Sequence, residues 1–371
     1  MANPRESELS YPLGEALPAP GEALELAPGL RWVRMALPFA LDHINLWLLR
    51  DEIEGRSGWT IVDCGIHNEA SQAQWEQIFA RHLDGLPVLR VIVTHFHPDH
   101  MGLAHWLTEK WSGRAAGPRS GAAANVGADH ECRLWISATD YNLARVASGS
   151  TVGMGGEAAA TFFGSHGLTD PDSLAKIRGR ASYYPSMVPQ VPAAYRRLMD
   201  GQRLRIGAHE WRCLVGYGHA PEHISLFSES LGVLISGDMV LPRISTNVSV
   251  VDVEPEADPL RLYLDSLERL LALPDSTLVL PAHGKPFKGL HARIDQLREH
   301  HAERLEDVLG ACRAKPCHAA ELLDLLFKRK LDLHQTTFAM GESVAHLNAL
   351  WLEGRLRRER GADGIYRFST V

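Results

Sequence analysis

Apolar and polar positions follow two rhythms along this chain, and the rhythms mark its elements. LRWVRMAL from Leu30, INLWLLRD from Ile44 and WTIVDCG from Trp59 are short apolar runs bounded by turn residues, the pattern of buried strands. EASQAQWEQIFARHL (69–83) then places Trp75, Ile78, Phe79 and Leu83 on one helical stripe. LRVIVTH (89–95) returns to a strand, and strand, helix, strand in this order predicts α/β layers. Further strands are expected at RLRIG, EWRCLVGYGH, ISLFSE and GVLISGD between Arg203 and Asp238. A helix at PLRLYLDSLERLLAL and a strand at TLVLPAHG close that section.

Three stretches depart from this pattern. Residues 1–27, rich in Pro, Gly and Glu, read as a lead-in to a main domain over 28–310. Within that domain, 113–200 predicts an insertion of helix and loop that caps one end. It opens on small residues (113–128), continues through helical text in HECRLWISATDYNLARVAS, and ends in SYYPSMVPQVPAAYRRLMDG with its three prolines. After a helix over 289–310, HAAELLDLLFKR and ESVAHLNALWLEGR are helical by spacing. LRRERGADGIYRFS then turns at Gly-Ala-Asp-Gly, so 311–371 reads as a small winged-helix-like domain.

Composition narrows the class. The 371 residues are 45% hydrophobic and 22% charged, as in an ordinary soluble globular protein. No apolar run approaches the roughly 20 residues of a membrane helix, and the first residues lack the basic and apolar regions of a secretory signal. The expectation is a cytoplasmic protein with no membrane partner. Five scattered cysteines suggest reduced thiols rather than a disulfide framework. A net charge of -7 argues against a generally basic nucleic-acid binder. The unusual count is 19 histidines.

Their positions carry the chemistry. His95-Phe96-His97-Pro98-Asp99-His100 places four metal-ligating side chains in six residues at the end of a strand. Alternation along a strand tail lets His95 and His97 point the same way, leaving Asp99 and His100 free to turn toward a second ion. Imidazole and carboxylate suit zinc, and the absence of paired cysteines argues against a closed structural site. His219, Asp238 and His283 each end a later predicted strand. Seven ligands suit two metals roughly 3.5–4 Å apart.

His-x-His-x-Asp-His, Gly-His-x-Pro-x-His, Ser-Gly-Asp and Pro-Ala-His-Gly, in this order, resemble the metallo-β-lactamase superfamily, and its glyoxalase-II-like members in particular. An Asp-x-Gly turn precedes them at Asp63-Cys64-Gly65. Over about 30–290 the resemblance implies a four-layer αβ/βα sandwich with the metals at one edge. It also implies one metal held by His95, His97 and His219, a second by Asp99, His100 and His283, and Asp238 as bridge. Asp99 and Asp238 are thereby the catalytic candidates, while Asp63 and His223 orient ligands through hydrogen bonds. The cofactor expected is two Zn²⁺ per chain, with iron or manganese tolerated by a carboxylate-bridged site. The tail, including TFAMGESVAHLN (337–348), is similar to the winged-helix domain of a mitochondrial β-lactamase-like endoribonuclease and its thioesterase-like relatives.

Two metals make a bridging hydroxide available near neutral pH, so the expected activity is hydrolysis without a protein nucleophile. Thioesters, lactones, β-lactams and phosphodiesters are all within reach of such a core, and the fold does not choose among them. Between Lys176 and Arg205 seven basic residues face the single acid Asp200, beside Tyr183 and Tyr184. An apolar and cationic cap of this kind suits a thioester of an anionic carrier, of the acyl-CoA or glutathione type. Arg243 and Asn247, near Asp238, are further substrate candidates. The tail holds ten basic and seven acidic residues, a small basic track for a nuclease. An RNA phosphodiesterase and a lactonase therefore stand as alternatives, with nucleic acid the less favoured partner. Exposed tail helices hint at a homodimer.

Overall fold

The predicted strands assemble into two facing sheets in the computed structural model, which describes residues 3–113, 129–150, 152–153 and 155–371. The first sheet runs in chain order through β1 (Ala23–Ala27), β2 (Leu30–Ala36), β3 (His43–Ile53), β4 (Arg56–Val62), β5 (Val88–Ile92), β6 (Arg133–Ile136) and β7 (Tyr195–Arg197). Strands β1 to β4 are antiparallel neighbours, and β4 to β7 are parallel. The second sheet comprises β8 (Arg203–Ile206), β9 (His209–Gly216), β10 (His223–Ser228), β11 (Val233–Gly237) and β12 (Leu278–Pro281), in the order β12-β11-β10-β9-β8.

Strand alternation builds both sides of each sheet. Along β2, Leu30 and Trp32 turn inward against Trp211, Leu226 and Ile235 of the second sheet, while Val33 and Met35 turn outward. The outward side is covered by α1 (Glu69–Arg81), α3 (Ala104–Trp111) and α4 (Ala138–Gly149), which bury Trp75, Trp111 and Ala144 there. The second sheet is covered by α8 (Pro259–Leu270) and α9 (Leu290–Ala314) through Leu260, Tyr263, Leu267 and Ile294. Four layers, helix, sheet, sheet, helix, result.

The capping segment differs from its expectation. HECRLWISATDYNLARVAS holds strand β6 as well as helix α4, because Ser137 caps the helix by accepting from the Asp140 amide at 3.3 Å. Strand β7 also falls inside the segment and adds an edge to the first sheet, and β1 lies in the expected lead-in. The small-residue stretch 114–128 lies outside the described residues. Helices α5 (Gly156–Ser165), α6 (Pro171–Arg178) and α7 (Tyr183–Met187) make up the remainder.

After α9 come a 3-10 turn (Ala319–Leu322), α10 (Leu323–Leu326), α11 (Leu333–Leu352) and the hairpin β13 (Leu356–Arg360) and β14 (Tyr366–Thr370). Their core is shared. Met340, Val344, Leu347 and Phe368 of the tail pack with Phe162, Phe163 and Ile177 of α5 and α6. The tail and the capping helices are therefore one packed body, and α11 lies against the loop that follows β11.

A buried ion pair ties the two sheets together. Arg90 on β5 bonds Asp51 on β3 at 2.7 Å, and Thr60 donates to the same carboxylate at 2.6 Å. Arg90 also donates to the Arg205 carbonyl of the second sheet at 2.7 Å, while the Gly207 amide donates to Asp51 at 3.0 Å. Asp51→Ala would strand a buried guanidinium and is expected to cost about 3–5 kcal/mol. Urea unfolding measures this, and a loss below about 1 kcal/mol would show that the sheets do not depend on the pair.

Candidate metal centre

Strand ends in a layered sandwich present whatever follows them at one edge. His95 comes three residues after β5, His219 three after β9, Asp238 directly after β11 and His283 two after β12. Between His97 and Gly102 the chain makes a single turn of helix, α2 (Pro98–Met101), with Pro98 at its first position. That turn carries Asp99 and His100 back toward the strand ends.

The seven predicted ligands converge into two groups. His95, His97, His219 and Asp238 form one, and Asp99, His100 and His283 the other. In the first, His95 Nε2 lies 2.8 Å from His97 Nδ1 and 3.2 Å from His219 Nε2. In the second, Asp99 Oδ2 lies 3.4 Å from His283 Nε2 and 3.6 Å from His100 Nε2. Asp238 faces both groups. Its Oδ2 is 3.2 Å from His219 Nε2, and its Oδ1 is 3.6 Å from His100 Nε2 and 3.4 Å from His283 Nε2.

This donor set fits a metal. His100 Nε2 and Asp238 Oδ1 are buried without a hydrogen-bond partner among the described residues, and such atoms are costly unless something else satisfies them. Donor spacings of 2.8–3.6 Å are close to the about 3.3 Å edge of a tetrahedron around an ion with bonds of about 2.0–2.1 Å. Burial drives His95 well below the ordinary imidazole range and His97 down to about 3, so both present the neutral, lone-pair-bearing form. Burial alone would push Asp99 up, but His100 and His283 outweigh it and hold the carboxylate at about 2.

Each ligand is oriented by a specific partner. Asp63, in the left-handed region at φ 61°, accepts from the Thr94 amide at 2.8 Å and from its hydroxyl at 3.0 Å. The same carboxylate takes His100 Nδ1 at 2.8 Å, so Nε2 is left for the metal side. His219 Nδ1 donates to the Asn247 carbonyl, and His283 Nδ1 to the His43 carbonyl, both at 2.7 Å. The His223 ring sits behind His95, and its Nε2 accepts from the Asp238 amide at 3.1 Å. It thereby holds the Asp238 loop.

The other candidates divide. Tyr183 lines the cavity over the cluster, its hydroxyl 3.2 Å from His334 Nδ1. Tyr184 also lines it, yet its hydroxyl is committed to the Phe96 carbonyl at 2.6 Å, which pins the ligand loop. Asn247 faces the cavity as well as holding His219. Arg243 does not reach it: the side chain turns outward to Glu6 at 3.2 Å. Most of the basic residues between Lys176 and Arg205 are likewise dispersed, with Arg178 on Glu157 and Arg203 on Glu210.

Two contributors carry no signal in the sequence. Asp140 accepts from the Phe96 amide at 3.0 Å and the Glu222 amide at 2.7 Å, clamping the loops that bear His95, His97 and His219. Its Ser-x-x-Asp context reads only as a helix start. His43 accepts from the Gly284 amide at 2.7 Å, beside His283.

Residues 41–283 match the Metallo-beta-lactamase superfamily, and the chain belongs to this family of metallo-hydrolases. Residues 305–371 match the metallo-beta-lactamase-like C-terminal domain, which begins within α9. A beta-lactamase domain protein from Burkholderia ambifaria is 56% identical, with a TM-score of 0.89 over 99% of both chains. A metallo-beta-lactamase family protein from Thermus thermophilus is 26% identical, with a TM-score of 0.71 over 94% of this chain and 100% of that one. The probable metallo-hydrolase YqjP of Bacillus subtilis (strain 168) is 24% identical over 91% of this chain and 97% of its own length.

Asp140→Ala would free two loop amides and is expected to weaken metal binding about 10–100-fold while the chain stays folded. Competition against a chromogenic chelator reads the affinity. An unchanged value would mean that the loops are held by other contacts.

Proposed function

We propose that the protein is a two-zinc hydrolase acting on thioesters that join an apolar acyl group to an anionic carrier. The observation that carries this reading is the cavity over the ligand cluster, about 620 Å³ in volume and lined mainly by apolar side chains. Phe39 and Leu41 wall one side, Tyr183, Tyr184 and Met187 another, and Phe338 of α11 a third. His97, Asp99, His219, Asp238 and His283 open onto the same space. An acyl chain therefore has an apolar berth whose polar end is the metal centre.

The charges near the opening favour an anionic carrier. Arg329 lines the cavity from its exposed side, and the Arg180 guanidinium lies 5.7 Å from the centre of the Tyr183 ring. The hairpin supports a nucleic-acid partner less well. Its Arg355 is paired with Glu306 at 2.6 Å, Arg367 with Asp363 at 2.6 Å, and Arg358 with Glu256. Arginines already engaged with carboxylates offer little to a phosphate backbone.

His95, His97 and His219 would hold one ion, Asp99, His100 and His283 the other, with Asp238 between them. Two ions there would lower the pKa of a shared water and polarise the substrate carbonyl. The chain's own residues do the rest. Asp63, Asn247 and His43 keep the ligand rings in register, and the aromatic walls exclude bulk water from the reacting carbonyl. A thiolate, with a parent pKa of about 8.5, departs without much help from an acid.

Turnover of acyl-CoA, lactone and RNA substrates, measured on one zinc-loaded sample with and without chelator, tests this reading. Chelator-sensitive thioester cleavage is expected, and His97→Ala should lower it at least about 10³-fold with the fold intact. Cleavage of RNA alone, or full activity in His97→Ala, would contradict it.

A further inference from the structure

A carboxyl group on the cavity wall has no part in the ligand cluster or, among the described residues, in any salt bridge. Glu342, on α11 of the C-terminal domain, lines the same cavity as His219, Asp238 and His283. Its hydrogen bond among the described residues is a long one, from Asn247 Nδ2 to Oε2 at 3.5 Å, and no lysine or arginine among them pairs with it. The main-chain carbonyl of that same Asn247 accepts from His219 Nδ1. One asparagine thus stands between the carboxyl and a ligand of the first cluster. Along the α11 wall of the cavity the nearest residues to it, Phe338 and Ala339, are apolar, with His334 and Gln335 a turn further on.

The helix is fixed so that the carboxyl stays there. Gly341 lies against the loop after β11, where a Cβ would come within 2.7 Å of Ser249. Its carbonyl accepts from the Val250 amide at 3.1 Å, and Ser249 donates to Asn247 Oδ1 at 2.8 Å. The close approach that glycine permits sets the next side chain, Glu342, against Asn247. Without a lysine or arginine partner, a charged carboxylate is an expensive group to keep in such a wall, whereas a carboxylic acid is tolerated there.

We infer that Glu342 is the acid that protonates the leaving group, so that the C-terminal domain supplies a catalytic residue to the metal-bearing domain. The inference rests on the hydrolase reading of the site but not on the thioester as substrate. Water's oxygen bonds to the acyl carbon, and the bond from that carbon to the leaving atom breaks with its electron pair on the leaving atom. That atom takes the proton of the Glu342 carboxyl. The proton that water sheds restores the acid, and the products are a carboxylic acid and a protonated thiol or alcohol.

The consequence is a dependence on leaving-group basicity. A thiolate gains little from the proton, whereas an alkoxide cannot depart without one, so the same site also hydrolyses oxyesters. Burial holds the Glu342 carboxyl up at about 7, which keeps the donor form present at neutral pH. The N-terminal amino group and the Asn247 amide act against burial and lower the carboxyl, while the titratable side chains packed around it change charge outside that range. Burial pushes His346, whose Nδ1 donates to the Glu342 carbonyl, down to about 4, and His301 of α9 well below the usual range. Burial likewise raises Tyr263 of α8 beyond physiological pH and lowers Arg293 of α9 only to about 10, so that it stays cationic.

The experiment compares the zinc-loaded full chain with Glu342→Gln on two substrates that share an acyl chain, one a thioester and one an alkyl oxyester. The variant is expected to lose about 10²-fold or more in kcat on the oxyester and less than about threefold on the thioester, with zinc content and Tm unchanged. The wild-type oxyester rate should fall as pH rises through about 7, and this limb should vanish in the variant. Equal losses on both substrates, or none on either, would overturn the assignment. Infrared difference spectra of wild type minus Glu342→Gln, taken at pH 6, give a readout independent of turnover. A protonated-carboxyl band lost in the variant supports the donor role, and its absence overturns that role. Inactivity of the wild type on both esters would defeat the ester-hydrolase reading, and the infrared result would still decide the state of Glu342.

Discussion

Seven imidazole and carboxylate side chains, in two groups whose ligand atoms lie within 4.8 Å of one another, make an arrangement that a cation balances and that little else does. Most of the remaining structure follows from keeping them there. The rings are aimed by buried acceptors, Asp63 for His100, the Asn247 carbonyl for His219 and the His43 carbonyl for His283. Those acceptors sit on strands and loops of both sheets. The two sheets must therefore stay in register, and the Asp51–Arg90 pair that joins them serves the site from a distance. Asp140 adds a clamp from the capping segment, so even the part of the chain that departs from the layered pattern bears on ligand geometry.

The cavity has a different origin from the cluster. Its floor belongs to the sandwich, but its walls come from α7, from the loop after β11 and from α11. These are held together because the tail and the capping helices share one hydrophobic core. The C-terminal domain is thus a wall of the reaction chamber. Its hairpin arginines are largely engaged with carboxylates, while its helix α11 lines the cavity.

The cluster was legible in the sequence because metal chemistry restricts residue type and because strand ends are easy to find. His95, His97, Asp99 and His100 stand together, and His219, Asp238 and His283 each follow an apolar run. The layered architecture was legible for the same reason. The short strands β6 and β7 were not: RLWI is embedded in helical text, and YRR lacks apolar alternation because it lies at an edge. Asp140 and Glu342 escaped notice since each reaches the site only through tertiary contacts. Arg243 was adjacent in sequence to the right loop, but Glu6 draws its side chain away. Proximity along a loop does not determine which way a side chain turns.

The most direct test of the account is anomalous diffraction at the zinc edge from crystals of the zinc-loaded protein. Two peaks are predicted, roughly 3.5–4 Å apart, one among His95, His97 and His219 and one among Asp99, His100 and His283, with Asp238 between them. A single peak, or zinc bound away from these residues, would contradict the two-ion centre on which the proposed chemistry rests.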